Sequence, residues 1–252
     1  GDVGYFWDER LSGHPVGLAC PEVPERCRVL APQAVRPAAD TAVRSCPFEA
    51  RGSIILRPVH DAEYIEQVRC AHENGLRYLD AGETTVTPDL FSQALLSASA
   101  GCEAVDRVMN GELAAAFCGV RPPGHHANRF RALGFCVFNN VAVAAEYARE
   151  RYGVKTVLVV DWDVHPGNGT QEIFFDDPGV FTLSIHQADL FAAAGRRELV
   201  GRGAGEGFNR NEPVRSGLPA DEYTDIFERA VVEVAAAFRP ELLLISAGFD
   251  AH

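Results

Sequence analysis

The sequence predicts a three-layer α/β domain with a mostly parallel central sheet and helices on both faces. Two strand-like runs, VLVV at 157–160 and LLLI at 242–245, are apolar at every position, as strands buried on both faces of a parallel sheet are. Helical segments between the strands fit right-handed crossovers. The last of these repeats Ile226, Phe227, Ala230, Val231, Val234, Ala235 and Phe238 on one face at the 3.6-residue period, which packs it on a sheet.

The elements follow in order. The first sixty residues are rich in Pro and Cys and carry one short strand, from Val3 to Trp7; the rest reads as a looped opening segment. Asp61 can cap a helix running to about Ala71, stopped by Asn74-Gly75. A longer helix runs from Pro88 to Met109, with Pro at its start and Asn110-Gly111 at its end. A regular alternation then begins: a strand from Ala114 to Val120, a helix from Asn140 to Tyr152, and a strand from Thr156 to Val160 after Gly153. A short helix around Thr170 to Phe175, a strand from Val180 to Ile185 and a long Gly-rich loop from Gly195 to Gly207 come next. A helix from Asp221 to Phe238 and a strand from Leu242 to Ser246 close the chain. No repeat or linker divides it, so residues 1–252 read as a single domain.

Composition narrows the function. With 47% hydrophobic residues the chain can build a full core. Its 35 acidic and 23 basic residues give a formal charge of −12, which argues against direct nucleic-acid binding and suits a cationic small molecule or a Lys-bearing peptide. No stretch approaches the ~20 apolar residues that span a bilayer, so no membrane partner is expected. Seven cysteines with no C-x-x-C pair disfavour both a disulfide framework and a zinc knuckle, and point to a reducing cytoplasm. Homo-oligomer formation stays open. Gly1 in place of an initiator Met, and a last residue, His252, close behind a strand, read as the ends of a fragment.

In open α/β sheets the ligand site lies beyond the carboxyl ends of the strands. Three such loops hold the unusual residues: RPPGHHA (121–127), DWDVHPGNGTQ (161–171) and AGFDAH (247–252). Asp161, Asp163 and His165 alternate, which in extended backbone puts them on one face with metal-ligand spacing. A carboxylate, an imidazole and Asp250 from the last loop make a three-ligand site with a position left for water, as catalytic zinc requires. The bland alternative is two capping carboxylates and a surface histidine. His125 and His126 follow a rigid Pro122-Pro123-Gly124 turn; one imidazole can take a proton from a metal-bound water while the other donates to an oxyanion. They could equally be exposed loop histidines or further ligands. Asp161 is better used to orient one imidazole than as a third ligand in its own loop.

Together and in this order, RPPGHHA, LGFCVFNN (133–140), DWDVHPGNGTQ, LSIHQ (183–187) and SAGFDAH (246–252) resemble the zinc-dependent histone deacetylase and acetylpolyamine amidohydrolase family, on its class II-like bacterial side, from about residue 50 onward. The resemblance implies an arginase/deacetylase-like fold and zinc on Asp163, His165 and Asp250. It implies His126 as general base and acid, His125 paired with Asp161 as its electrostatic partner, and Asn168 where many members have a carboxylate behind His126. Gly134 and Phe135 of the GFC motif resemble one wall of a narrow acyl-lysine channel and Phe191 the other; core packing is the alternative for each aromatic. A structural K+ on Asp161, Asp163, His165, Ser184 and Ile185 is also implied, partly through main-chain oxygens. The reaction implied is hydrolysis of an acetyl-lysine or acetylpolyamine amide to acetate and a free amine.

The sequence departs from that family in places. Members polarise the carbonyl with a Tyr, or a His, in a glycine-rich loop further along, and their last strands and helices would follow residue 252. The expectation is therefore a C-terminally incomplete domain with an uncovered sheet edge and little turnover by this exact chain. Pro166, Ala192 to Ala194, Cys20, Glu212 and Arg215 also depart from the pattern. His60 and His72 read as capping or surface residues and His14 as part of a Pro/Gly loop; His186 could line the site, though Ser184 and Ile185 suit that better. Glu83, near Asp80 and Asp89, is either a carboxylate at the channel mouth or part of a solvated loop. Two other readings compete: an arginase-like binuclear metal hydrolase, and a deacetylase-like module that binds acyl amines without cleaving them.

Overall fold

A computed structural model of the chain describes residues 1–13, 20–32, 42–191 and 193–251. His14, Ala192 and His252 lie outside the described residues. The chain forms two compact units, Gly1–Tyr152 and Gly153–His252. Each holds one sheet, every strand pair is parallel, and helices lie on both faces, as an α/β fold requires.

In the first unit the order is β1 (Val3–Phe6), α1 (Glu25–Arg28), β2 (Val43–Ser45), α2 (Ala62–Cys70), α3 (Leu90–Met109), β3 (Ala115–Cys118) and α4 (Asn140–Tyr152). The strands pair as β2-β1-β3. The opening segment is thus more structured than its sequence suggests: β2 is three exposed residues, too short and too polar to leave a pattern, yet it pairs in register with β1. Asp61 caps α2 as expected, its side chain accepting the Glu63 N–H at 2.8 Å. Phe6, Leu11, Phe48, Leu96 and Ala100 form the core. Where α3 meets α4, a Cβ on Gly101 would stand 3.2 Å from that of Ala144, so small residues set the spacing.

In the second unit β4 (Val157–Asp161), α5 (Asn168–Phe174), β5 (Val180–Gln187), β6 (Asn209–Val214), α6 (Ala220–Phe238) and β7 (Leu242–Ser246) follow one another, with strand order β6-β5-β4-β7. β4 is buried throughout. The apolar stripe of α6 packs through Ala230 and Val234 on Leu158, Val160, Leu183 and Ile185. One strand is added to those expected, and one expectation is corrected. The Gly-rich stretch runs into an edge strand, β6, whose sequence NRNEPV carries no apolar signal; Pro213 is tolerated there because an edge strand has a free side. LLLI is not buried on both faces: β7 is also an edge, with Leu243 49% and Ile245 45% exposed. Among the described residues no helix is long and apolar enough to cross a membrane.

Candidate active site

In the second unit, β4 and β7 pair in parallel with Asp161 opposite Ser246, so the loops leaving their carboxyl ends start side by side. The first loop carries Asp163 and His165, the second Asp250. Their ligand atoms all lie within 4.8 Å of one another, the one such group of three found among the described residues. His165 Nδ1 is 3.0 Å from Asp163 Oδ1 and 3.0 Å from Asp250 Oδ2. Backbone donors aim both carboxylates: the His165 N–H donates to Asp163 at 2.8 Å and the Val164 N–H to Asp250 at 3.0 Å. Gly248 is required where the loops cross, because a Cβ there would fall 2.1 Å from Asp163 Oδ2. One imidazole nitrogen and two carboxylates, pre-aimed and partly open to solvent, fit a zinc ion.

The first loop is not extended strand, as the alternation suggested. It bends, through successive side-chain to backbone bonds in which Asp161 accepts the Asp163 N–H at 3.1 Å and Asp163 accepts that of His165. The bends separate the carboxylates. Buried Asp161 turns under Gly167, where a Cβ would meet its Oδ2 at 2.3 Å, while Asp163 stays with the triad. Asn168 opens α5 one residue further on. Ser184 faces Asp161 across the β4 and β5 pairing, and Ile185, next to it, is buried. Phe191 is 39% exposed, in a left-handed conformation (φ 49°), with its ring edge-on to His165 at 5.9 Å between centroids. It is not a core residue.

His186 does not line an opening. It is buried, accepts from the Ser184 hydroxyl at 2.8 Å and donates to the Gly195 carbonyl at 3.1 Å, and burial lowers its pKa. Glu212 is buried on β6 between Arg197 and Arg210, which accounts for a charge in a stretch expected to be apolar.

In the first unit, the loop after β3 holds His125 and His126 buried with their ring centroids 3.9 Å apart. Neither is a surface residue. Gly124 lets the loop pass the start of α4: a Cβ would stand 2.5 Å from the Asn140 nitrogen and 2.7 Å from the Phe138 oxygen. The Pro122 carbonyl is held by Ser97 Oγ at 3.0 Å and Asn140 Nδ2 at 3.1 Å. Gly134 and Phe135 form a two-residue turn between Leu133 and Cys136, which bond each other in both directions, and both turn residues have positive φ (55° and 67°), as in the type I′ hairpin turn. A Cβ on Gly134 would fall 2.6 Å from His126 Cδ2, so the turn packs flat on that imidazole. Phe135, only partly buried, lines a recess with Glu22, Glu83, Leu90 and Pro122. Asp80 is folded into its own loop, accepting from Gly82, Glu83 and Thr84, and so fixes the backbone that presents Glu83.

Several residues of this site left no signal in the sequence. His60 is buried rather than a cap or surface group, and burial pushes its pKa down to about 4. Arg121 is buried against Glu22, its Nε 2.6 Å from Oε2 and its Nη2 donating to the Glu22 carbonyl at 2.9 Å. His72 is exposed, as expected.

Fold and donor set together define a parallel α/β protein with a candidate metal centre in its second unit and a buried histidine pair in its first. The sequence matches the histone deacetylase domain over residues 20–252, and the chain belongs to that family. The match begins upstream of residue 50, where the motifs are weak. The chain is 39% identical over 211 residues to the histone deacetylase-like amidohydrolase of Pseudomonas aeruginosa, covering 83% of this chain and 55% of that protein. It is 42% identical over 203 residues to the polyamine deacetylase HDAC10 of Homo sapiens, covering 76% and 30% respectively. The crystal structure of the HDA15 HD domain superposes with a TM-score of 0.90 at 32% identity, over 100% of this chain and 74% of that one. The chain spans about half the length of the curated relatives it matches.

Proposed function

We propose that residues 1–252 are one deacetylase-like catalytic domain, a zinc-dependent amidohydrolase that removes acetyl groups from N-acetyl-lysine or acetylated polyamines. The observation that carries this is the convergence of Asp163, His165 and Asp250 at the carboxyl ends of two paired strands. When bound there, zinc supplies a Lewis acid and lowers the pKa of a water toward ~7. His126 takes a proton from the attacking water and returns it to the leaving amine. His125, stacked on it at 3.9 Å, stabilises the charge, with Asp161 and Asn168 as supporting partners. Gly134, Phe135 and Phe191 wall the acyl-amine channel; neither aromatic is consumed by a core.

A structural K+ is assigned to Asp161, Asp163, His165, Ser184 and Ile185, supported by the register that pairs Asp161 with Ser184. With the Ser184 hydroxyl donated to His186, main-chain oxygens of β5 are its better donors. The acidic balance favours a cationic acetylated amine or an acetyl-lysine peptide. Seven free thiols suit a reducing compartment, the cytoplasm in this reading.

Metal analysis joined to acetate release from an acetyl-lysine peptide and from N-acetylputrescine tests the proposal. One zinc bound per folded chain, with acetate released from either substrate, is the expected result. Folded protein that retains no zinc after dialysis against micromolar zinc would overturn it.

A further inference from the structure

His60 lies just ahead of α2, far in sequence from the tandem histidines, yet its imidazole joins the two segments that frame them. Nδ1–H donates to the Asn128 carbonyl at 2.9 Å, and the Asn139 backbone N–H donates to Nε2 at 2.9 Å. Both ring nitrogens are used, which selects the neutral Nδ1–H tautomer. Asn139 completes the frame: its Nδ2 donates to the Ala127 carbonyl at 3.0 Å, and its Oδ1 accepts the Ala142 N–H at 3.1 Å. The carbonyls of the two residues that follow His126 are therefore both held, one by the Asn139 carboxamide and one by the His60 ring. Further on, the Asn128 side chain accepts the N–H groups of Phe130 and Arg131, each at 2.9 Å, and the Asp61 N–H donates to the Arg129 carbonyl at 2.9 Å.

The packing leaves this frame little freedom. His60 is 1% exposed and Asn139 0%. Tyr64 and Phe138 stand against the imidazole at 5.6 and 5.3 Å between centroids, and Tyr64 Oη donates to the Val137 carbonyl at 2.6 Å. A rotation of His126 about its backbone would have to break hydrogen bonds made by groups buried from solvent.

We propose that His60 is a positioning residue: by clamping the Asn128 carbonyl against the Asn139 N–H, it holds the backbone after His126 so that the tandem imidazoles keep one orientation. The inference rests on the reading of His126 as the proton carrier. Its effect is on the placement of a reacting group, where an error of ~1 Å costs up to ~10²-fold in rate. A residue that served the core alone would change the folded fraction and leave the folded molecules fully active.

The test uses His60→Leu, which can make neither bond, and His60→Asn, whose amide can still reach the Asn128 carbonyl. Each is zinc-loaded and held well below its melting temperature. Two readouts are taken: kcat and KM on an acetyl-lysine peptide, and the imidazole carbon resonances of His125 and His126 by NMR. His60→Leu should lower kcat roughly 10- to 100-fold with KM within about twofold, and should shift both histidines' resonances; His60→Asn should recover most of each. Wild-type kcat with unshifted resonances in folded His60→Leu would overturn the proposal, as would a rise in KM alone. If His60→Leu does not fold, Asn139→Ser, which loses the bond to Ala127, takes the same two readouts. Failure of the wild type to release acetate would instead count against the proposed function, and the resonances, which need no turnover, still decide the positioning role.

Discussion

Replacing His60 by Asn should flatten the acid side of the stability curve. Burial is the main reason that its pKa falls from 6.5 to about 4; the bond to the Asn128 carbonyl pulls the other way, and the positive charge of Arg129 adds to the fall. Tyr64 and Phe138 face the ring without charge. Between pH 6.5 and about 4 the unfolded chain holds a proton that the folded ring refuses, so unfolding gains as pH drops. The stability that comes from keeping the ring neutral is whole above 6.5 and is lost as pH falls to about 4. The gap between those values is worth roughly 3 kcal/mol, of which about 2 is gone by about pH 5. His186, also lowered by burial, acts in the same direction, so the wild-type curve alone is not diagnostic. The difference between wild type and His60→Asn is. Urea unfolding followed by circular dichroism should find the variant less stable near neutral pH, and the gap should narrow by about 2 kcal/mol toward about pH 5. A gap that stays constant across that range would refute the reasoning.

Two glycines give sharper geometric tests. Gly134→Ala places a methyl 2.6 Å from His126 Cδ2 at a φ of 55°; the left-handed backbone costs about 1 kcal/mol, and opening the contact to ~3.5 Å moves the imidazole by about 0.9 Å. Acetyl-lysine turnover should fall ~10²-fold while the melting temperature drops only a few degrees, and turnover within threefold of wild type would contradict the packing described. Gly248→Ala drives a Cβ to 2.1 Å from Asp163 Oδ2, so zinc affinity measured by chelator competition should fall roughly 10- to 100-fold in a protein that still folds. Unchanged affinity would mean that Asp163 is not held there for a metal.

What could be read in the sequence was whatever repeats or follows a buried strand. The bounds of α4 and β7 match those expected, and α6 differs by one residue, because apolar spacing is a local property. β6 escaped because its stability is polar. Asn209 and Asn211 both donate to Gln171 Oε1, at 3.1 and 2.7 Å, and Glu212 is paired with arginines, so a buried strand has no apolar run. LLLI could be recognised as a strand but not as an edge, because a one-dimensional pattern does not say what lies beside it. The convergence of Asp163, His165 and Asp250 was legible for a topological reason: in a parallel sheet the residues just after neighbouring strands come together. His60 was not. Its partners are main-chain groups 68 and 79 residues away, and any residue offers the same carbonyl and N–H. Glu22 and Arg121, 99 residues apart, were invisible for the same reason of distance.

The two candidate clusters are held by different kinds of group. A divalent ion needs charge to balance it, and Asp163 and Asp250 bring two carboxylates to one imidazole nitrogen within 4.8 Å. A loop that carries imidazoles can be anchored by neutral dipoles without adding a further charge that would move their proton affinity. The groups that hold the backbone around His125 and His126 are neutral dipoles: the Ser97 hydroxyl, the Asn139 and Asn140 carboxamides, and an imidazole that burial keeps uncharged. Substituting Asp for Asn139 would keep the shape and put a carboxylate where an amide now donates to the Ala127 carbonyl. That bond would become a repulsion, and the loop would lose an anchor while its frame gained a charge. His60 serves this frame because it is a strong donor and acceptor that stays neutral at the pH where its own free side chain would begin to charge.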